Sequence, residues 1–424
     1  MNPQKEEIMK KALVLGGTYP HISLIQKLQD RGYYTILVDY LNHPAAQPFA
    51  DEHIKESTLD KDKVCKIAKE QEVELVISTC IDQANVTCCY VAEKLGLPRP
   101  YSYETSLNVT DKVRMKRIMR ENGIPTSHYY MISSLEEFED DKLRYPIIVK
   151  PSDANSSKGV RRIDKGDQFA YQYIQDALSI SRNGKAIIEE FIVGREIGAD
   201  CIIINGKAHV VMTKERRKIL KNNTEVIQQI YGSIWPANLS AKQIEQLREI
   251  AGNIARSFNI DNSPLMMQVI LVEGDFYVIE FGARIGGGDS YQIIEELTGY
   301  DIIQNAIKSF LGEAMQAFDL KSTRSSLLMD DYIYVCPPKE KGKEEHVFGH
   351  IEYAAAAKSC IKYSKVYRTA GDPIGYKISS NNRVGCFVVS GTTEKELLDK
   401  QATVVKNMEV YDINGIPIMR KDIY

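Results

Sequence analysis

The stretch KALVLGGTYPHISLIQKLQDRGYYTILVDY, Lys11–Tyr40, constrains this chain more than any other. Ala12 to Leu15 form a short apolar run, Gly16 and Gly17 turn it, and Ile22, Ile25 and Leu28 recur at helical spacing. Gly32 stops the helix, and YYTILVD follows as a second apolar strand. Strand, helix and strand in that order need a crossover, so the two strands lie parallel. VCKIAKEQEV, ELVIST and NVTCCYVAEKLG continue the alternation, which predicts a doubly wound α/β domain over residues 1–110. The glycine pair lacks the GxGxxG spacing of a dinucleotide fold, since His21 falls near where a later glycine would stand, although Asp39 does end the second strand. A strand-to-helix turn needs glycine in any case.

The remaining 314 of 424 residues divide by pattern. Residues 111–315 mix amphipathic helices with apolar strands. VTDKVRMKRIMRENGIPT reads as a helix opened by Lys112 and stopped by Gly123 and Pro125. SLEEFEDDKL reads as a helix with a capping box from Ser134 to Glu137. QFAYQYIQDALSISRNG and KQIEQLREIAGNIARSFNI read as further helices, and LMMQVILVEGDFYVIEFG as a hairpin turned at Glu273-Gly274-Asp275. Residues 316–424 read as mostly strands with one helix. The fold class expected is therefore α/β, with a doubly wound N-terminal domain, a central α+β region and a C-terminal, mostly β domain.

Charge excludes some partners. Lys and Arg number 54 against 57 Asp and Glu, a formal net charge of −3, which gives nucleic acid or an anionic membrane little to hold. No apolar run approaches the length of a membrane span, the N-terminal MNPQKEEIMKK lacks the apolar core of a signal peptide, and eight irregularly spaced cysteines form no CxxC pair. A reducing, cytoplasmic location is expected.

Four segments carry candidate chemistry. YPIIVK ends a buried strand on Lys150, and a charge there costs desolvation unless an anion or carboxylate meets it. PSDANSSKG follows, a polar loop whose backbone N–H groups can turn toward phosphate oxygens, or which is simply a solvated turn. In AIIEEFIVGREIG, the strand edge at Glu189-Glu190-Phe191-Ile192 can face an adenine edge and Glu196 the ribose hydroxyls; the bland alternative is a surface strand with solvated acids. On the hairpin, Glu280 sits among apolar residues and Gln268 lies on the partner strand. An amide oxygen and a carboxylate, with phosphate oxygens, suit Mg²⁺. Arg284 can grip a phosphate or carboxylate in bidentate fashion, or form a structural Glu–Arg bridge. Lys214, Arg216 and Arg217 can receive an acidic substrate group or form a solvated basic turn, and Tyr231 and Trp235 wall a pocket or belong to the core.

DKVRMKRIMRENGIPT, YPIIVKPSDANSSKGV, IIEEFIVGREI and MQVILVEGDFYVIEFGARIGGG, in that order, resemble the ATP-grasp superfamily. The likeness is nearest to the large chain of carbamoyl-phosphate synthetase and the L-amino-acid ligases. It implies an N-terminal domain over 1–110, an ATP-grasp domain over 111–315 with a lid subdomain at about 111–187, and a C-terminal domain over 316–424. By resemblance, Lys112 and Lys150 contact the ATP phosphates, and Ser156, Ser157, Lys158 and Gly159 form the lid over them. Glu189 takes the adenine amino group and the backbone at Glu190, Phe191 and Ile192 the ring edge. Glu196 binds the ribose, Gln268 and Glu280 bind Mg²⁺ (or Mn²⁺), and Arg284, with Lys158, serves the transferred phosphoryl group.

Two positions depart from the family pattern. Gln268 stands where many members carry an acid, as it does in carbamoyl-phosphate synthetase, and Gly282 stands where most carry asparagine. The resemblance implies an ATP-dependent carboxylate–amine ligase that forms an amide through an acyl phosphate and releases ADP and phosphate. Its partners are then a small carboxylate, such as an amino acid, and an amine, and a homodimer is common in such enzymes. Two other readings stay open: a bicarbonate-activating enzyme, and an ATP-binding regulatory subunit without ligase chemistry.

Overall fold

The computed structural model describes residues 9–153, 159–219, 229–322, 324–336, 346–375 and 382–424. The N-terminal unit runs β1 (Lys10–Leu15), α1 (Tyr19–Gln29), β2 (Tyr33–Asp39), β3 (Glu52–Lys55), α2 (Lys61–Glu70), β4 (Leu75–Ile77), α3 (Asp82–Leu95) and α4 (Tyr103–Thr110). Its sheet has the order β3-β2-β1-β4 and is parallel throughout, as the alternating pattern predicts. Leu13, Val14, Ile36, Leu37, Val76 and Ile77 fill its core. The glycine pair serves packing. Gly16 has φ of +97°, and a Cβ at Gly17 would fall 2.4 Å from the Pro44 ring. Asp39 ties that turn, accepting from the Gly17 N–H at 2.8 Å and the Leu41 N–H at 2.9 Å.

A second unit follows: α5 (Lys112–Glu121), β5 (Tyr129–Ile132), β6 (Ile147–Pro151), β7 (Arg161–Ile163), α6 (Ala170–Ile180) and β8 (Ala186–Glu190). Its four strands pair antiparallel in the order β5-β8-β6-β7, with α6 packed on Ile147, Val149 and Ile188. The helix expected at SLEEFEDDKL is absent. Only Leu135–Glu137 turn, as a 3₁₀ helix, and the Ser134 side chain makes no cap. Acids at 136, 137, 139, 140 and 141 would repel at helical spacing. Glu137 instead accepts from the Ser133 N–H at 2.8 Å, and Tyr130 Oη donates to the Glu139 carbonyl at 3.1 Å.

The largest sheet is built from β9 (Arg195–Ile204), β10 (Lys207–Lys218), β11 (Ile230–Trp235), β12 (Ser263–Val272) and β13 (Asp275–Gly282), with α7 (Ala241–Ser257) across it. A capping box that the sequence reading missed opens α7: Ser240 Oγ accepts from the Gln243 N–H and Gln243 Oε1 from the Ser240 N–H. Then come α8 (Ser290–Thr298), α9 (Ile302–Leu311), β14 (Leu327–Tyr334), β15 (Phe348–Tyr353), α10 (Ala355–Cys360), β16 (Tyr363–Val366), β17 (Arg383–Gly391), α11 (Glu394–Lys406) and β18 (Met408–Asp412). The sheet order is β13-β12-β9-β10-β11-β14-β17-β16, so one sheet crosses the division expected near residue 316. The C-terminal region holds two helices among the described residues, where one was expected. The second is α10, drawn from the alanine run after β15, since alanine has the best helix propensity. Among the described residues no helix is long and apolar enough to cross a membrane.

Candidate active site

Strand β6 carries Lys150 inward, where it is buried. Its neighbour β8 places Ile187 opposite it, and the adjoining pair is Val149 with Ile188. Glu189, the next residue of β8, receives the Lys150 ammonium on Oε1. The other carboxylate oxygen accepts from Lys116 Nζ at 3.0 Å and from Ser127 Oγ at 2.9 Å. Lys116 also donates to Thr126 Oγ1 at 2.6 Å and Ser127 Oγ at 3.0 Å. Two lysines thus share one carboxylate, all three with side chains at most 7% exposed, a formal surplus of one positive charge. Burial alone would raise the Glu189 carboxyl, but Lys116 and Lys150 outweigh it and hold it down at about 2. Burial also pushes Lys116 below the ordinary lysine value, with Glu189 pulling against it.

Lys116 is a site residue that sequence reading missed. Its signal was present, since it adjoins the Met115 and Met119 stripe that α5 buries. Glu189 was expected at the adenine amino group, yet both its oxygens are occupied by the lysines and Ser127. Glu190 is half-buried and accepts from the Arg144 N–H at 3.1 Å. The Phe191 N–H donates to the Pro146 carbonyl at 2.9 Å. Among the described residues no backbone bond claims the Ile192 N–H. Ser156, Ser157 and Lys158 lie outside the described residues, and Gly159 is the first one after them.

The large sheet supplies the second half. Lys214, Arg216 and Lys218 alternate along one face of β10. Glu196 on β9 is buried and accepts from Arg216 Nη1 at 3.2 Å and Lys218 Nζ at 2.5 Å. Burial would raise its carboxyl, and the two cations hold it below the ordinary value. These are not solvated surface acids, because each has traded water for cations. Nor do 214–217 form a solvated turn. Lys214 is buried 4.2 Å above the Trp235 ring and donates to Ser290 Oγ at 3.0 Å, while Arg217 pairs with the buried Asp331. Burial lowers the Lys214 ammonium below its ordinary value.

The hairpin pairs Gln268 directly with Glu280 through a register shift between Gln268 and Val269, since the two-residue turn with Val272 opposite Asp275 would by itself set Gln268 against Ile279. Glu280 is half-buried with Lys112 Nζ at 3.8 Å, so the first turn of α5 meets the hairpin. Gln268 Oε1 accepts from Arg216 Nη1 at 3.0 Å. Among the described residues no three His, Cys, Asp or Glu side chains converge as a metal cage. One carboxylate and one amide oxygen fit instead a Mg²⁺ ion that keeps most of its oxygens from water and phosphate. Arg284 bonds neither of them. Its Nε and Nη2 each donate to Asp82 at 2.7 Å, and Nη1 to the Ile285 carbonyl at 2.8 Å.

Residues 143–292 match the family model described as an ATP-grasp domain. The chain is 25% identical over 267 residues to an L-arginine-specific L-amino acid ligase of Bacillus subtilis, covering 60% of this chain and 62% of the relative. It is 24% identical over 232 residues to the carbamoyl phosphate synthase large chain of Thermoanaerobacter pseudethanolicus, covering 52% of this chain and 20% of the relative. The matched stretch thus spans less than two thirds of either relative. Among solved structures, an L-amino acid ligase from Bacillus licheniformis superposes with a TM-score of 0.76 at 20% identity over 95% of this chain and 98% of that one. A phosphoribosylglycinamide synthetase from Anaerococcus prevotii superposes with a TM-score of 0.71 at 19% identity over 95% and 99%. Residues 143–292 thus match an ATP-grasp domain model, and the chain shares its fold with these two solved structures over 95% of its length.

Proposed function

We propose that this chain is an ATP-dependent carboxylate–amine ligase. The observation that carries the reading is the formal surplus of positive charge in the Lys116–Glu189–Lys150 cluster, buried at the end of strand β6. A buried cationic surplus calls for an anionic ligand, and nucleotide phosphates supply one. The matched ATP-grasp domain and the ligase named among the relatives support the same reading.

In the proposed reaction a carboxylate oxygen of the acid attacks the γ-phosphorus of ATP and ADP leaves with the bond electrons. The acyl phosphate is then attacked at carbon by an amine, which loses a proton as phosphate departs, leaving an amide. No protein nucleophile is needed; positioning and charge stabilisation carry the rate. Lys150 and Lys112 bind phosphate oxygens, and Glu189 holds Lys150 and Lys116 in place. The backbone at Glu190–Ile192 lies along the adenine edge. Glu196 turns toward the ribose while keeping Arg216 and Lys218. Glu280 and Gln268 would hold Mg²⁺, which when bound neutralises phosphate charge. Arg284 steadies the transferred phosphoryl group. The substrate pair we propose is an amino acid or other small carboxylate with a small amine.

The test is release of ADP and phosphate from Mg·ATP against pooled amino acids and small carboxylates, each with and without amines, beside Lys150→Ala. Release that requires one acid and vanishes in the variant is the expected result. Tight ATP binding with no release from any pool would replace the ligase reading with a regulatory nucleotide-binding subunit.

A further inference from the structure

Strand β13 ends at Gly282, two residues beyond Glu280 and therefore on the same side of the strand. A side chain at 282 would project beside the cation-binding carboxylate. Its φ does not lie in the left-handed region, so the backbone does not demand glycine there. Space does. A Cβ on Gly282 would fall 2.9 Å from Asp82 Oδ1 and 3.3 Å from Arg284 Cγ and Nε. The carboxylate that fills this space is Asp82, in the first turn of α3, and it grips Arg284, 202 residues away in sequence, with both oxygens at 2.7 Å. The N-terminal unit reaches the same strand end again through Tyr101 Oη, which donates to the Ala283 carbonyl at 2.9 Å.

We propose that Asp82 is a positioning residue of this site: it sets the guanidinium of Arg284 at the end of the cation hairpin and takes the space that a side chain at 282 would need. A bidentate carboxylate fixes both the place and the plane of a guanidinium, where a single acceptor fixes neither. Arg284 Nη1 is tied to its own chain at Ile285, so Asp82 sets the direction of the remaining donors. The N-terminal unit is then part of the reacting end of the ATP-grasp site, and not only a neighbour of it. The role of Arg284 rests on the ligase reading above, whereas the packing of Asp82 against Gly282 does not.

The experiment has two arms on the full chain. Calorimetry measures binding of Mg·ADP alone and of Mg·ADP with aluminium fluoride, a mimic of the transferred phosphoryl group. Wild type should bind the second at least about tenfold more tightly, as a transition-state mimic does. Asp82→Ala should keep Mg·ADP affinity within about twofold and lose the fluoride-dependent gain, and Asp82→Asn, which keeps the shape but loses the charge, should lose most of it. In the second arm Gly282→Ala is introduced into wild type and into Asp82→Ala, and melting is followed. The alanine should lower Tm by about 3 °C or more in wild type and by clearly less where the carboxylate is gone, since only the 3.3 Å contacts with Arg284 then remain. An undiminished gain in Asp82→Ala overturns the positioning role. Equal Tm shifts in the two backgrounds overturn the packing. A wild-type chain with no fluoride-dependent gain overturns the ligase reading and the role of Arg284 with it, and the melts then decide the packing alone.

Discussion

Gln268 and Glu280 stand directly opposite one another on the hairpin, and the Gln268 amide oxygen accepts from Arg216 while the Glu280 carboxylate lies 3.8 Å from Lys112. Each oxygen donor of the proposed cation site therefore faces a fixed cation of the protein. The site has little negative charge of its own, so a divalent ion should enter with the nucleotide.

This predicts that Mn²⁺ binds weakly to the chain alone and tightly once a non-hydrolysable ATP analogue is present, as read by the electron paramagnetic resonance of free Mn²⁺. Glu280→Gln should weaken the ternary affinity about tenfold, because carboxylate count governs affinity at such sites. Its Tm should hardly move, since Glu280 is half-buried and a substitution there costs about 0.5 kcal/mol or less. Gln268→Glu should tighten Mn²⁺ binding even without nucleotide.

Glu189 should behave in the opposite way. Glu189→Gln leaves two buried ammonium groups with no counter-ion, and breaking a buried pair costs about 3–5 kcal/mol. Denaturant titration should show that loss. Lys116→Met should cost far less, because Lys150 still satisfies the carboxylate, but it removes the surplus charge. ATP affinity should then fall about tenfold with the fold intact.

Much of this was legible in the chain. The β-α-β alternation and the hairpin follow from local periodicity, which a strand or helix must obey wherever it packs, whereas the register shift that sets Gln268 against Glu280 has no such local mark. What escaped was long-range. Asp82 and Arg284 are 202 residues apart, and nothing local marks Asp82 except its place at the start of α3. Lys214, Arg216 and Arg217 could pass for a solvated turn because charge alone does not show the burial that β10 imposes on them. Lys116 was hidden by the habit of counting lysine as surface, although it adjoins a buried methionine pair. At SLEEFEDDKL two local signals compete. A capping pattern cannot carry a helix through a run of like charges.

The Glu189 carboxyl also predicts a pH dependence. Its folded value, about 2, lies below the ordinary 4.5. A carboxyl depressed by folding stabilises above its unfolded value and loses that contribution as pH falls through the folded one. Stability should therefore decline between about pH 4.5 and pH 2 more steeply in wild type than in Glu189→Gln. Equal acid slopes for the two would mean that Glu189 is not charged between its lysines.

Trp235 is the chain's single tryptophan and reports on this region. Its Nε1 donates to Asp330 Oδ1 at 2.6 Å, and the Lys214 ammonium sits 4.2 Å from its ring centre. A cation over the ring holds it electrostatically and changes its emission. Lys214→Met keeps the volume and removes the charge, so emission should change and Tm should fall, because removing one partner of a buried pair leaves the other charge uncompensated. Asp200, which faces Lys214 at 3.4 Å, should then become the liability. Asp200→Asn added to Lys214→Met should restore any stability lost, because it removes the uncompensated carboxylate. In wild type, burial depresses the Lys214 ammonium, so its deprotonation should alter Trp235 emission at a pH below the ordinary lysine range. That titration should be absent from Lys214→Met. A wild-type emission profile identical to that of the variant across the alkaline range would mean that Lys214 does not carry its charge over the Trp235 ring.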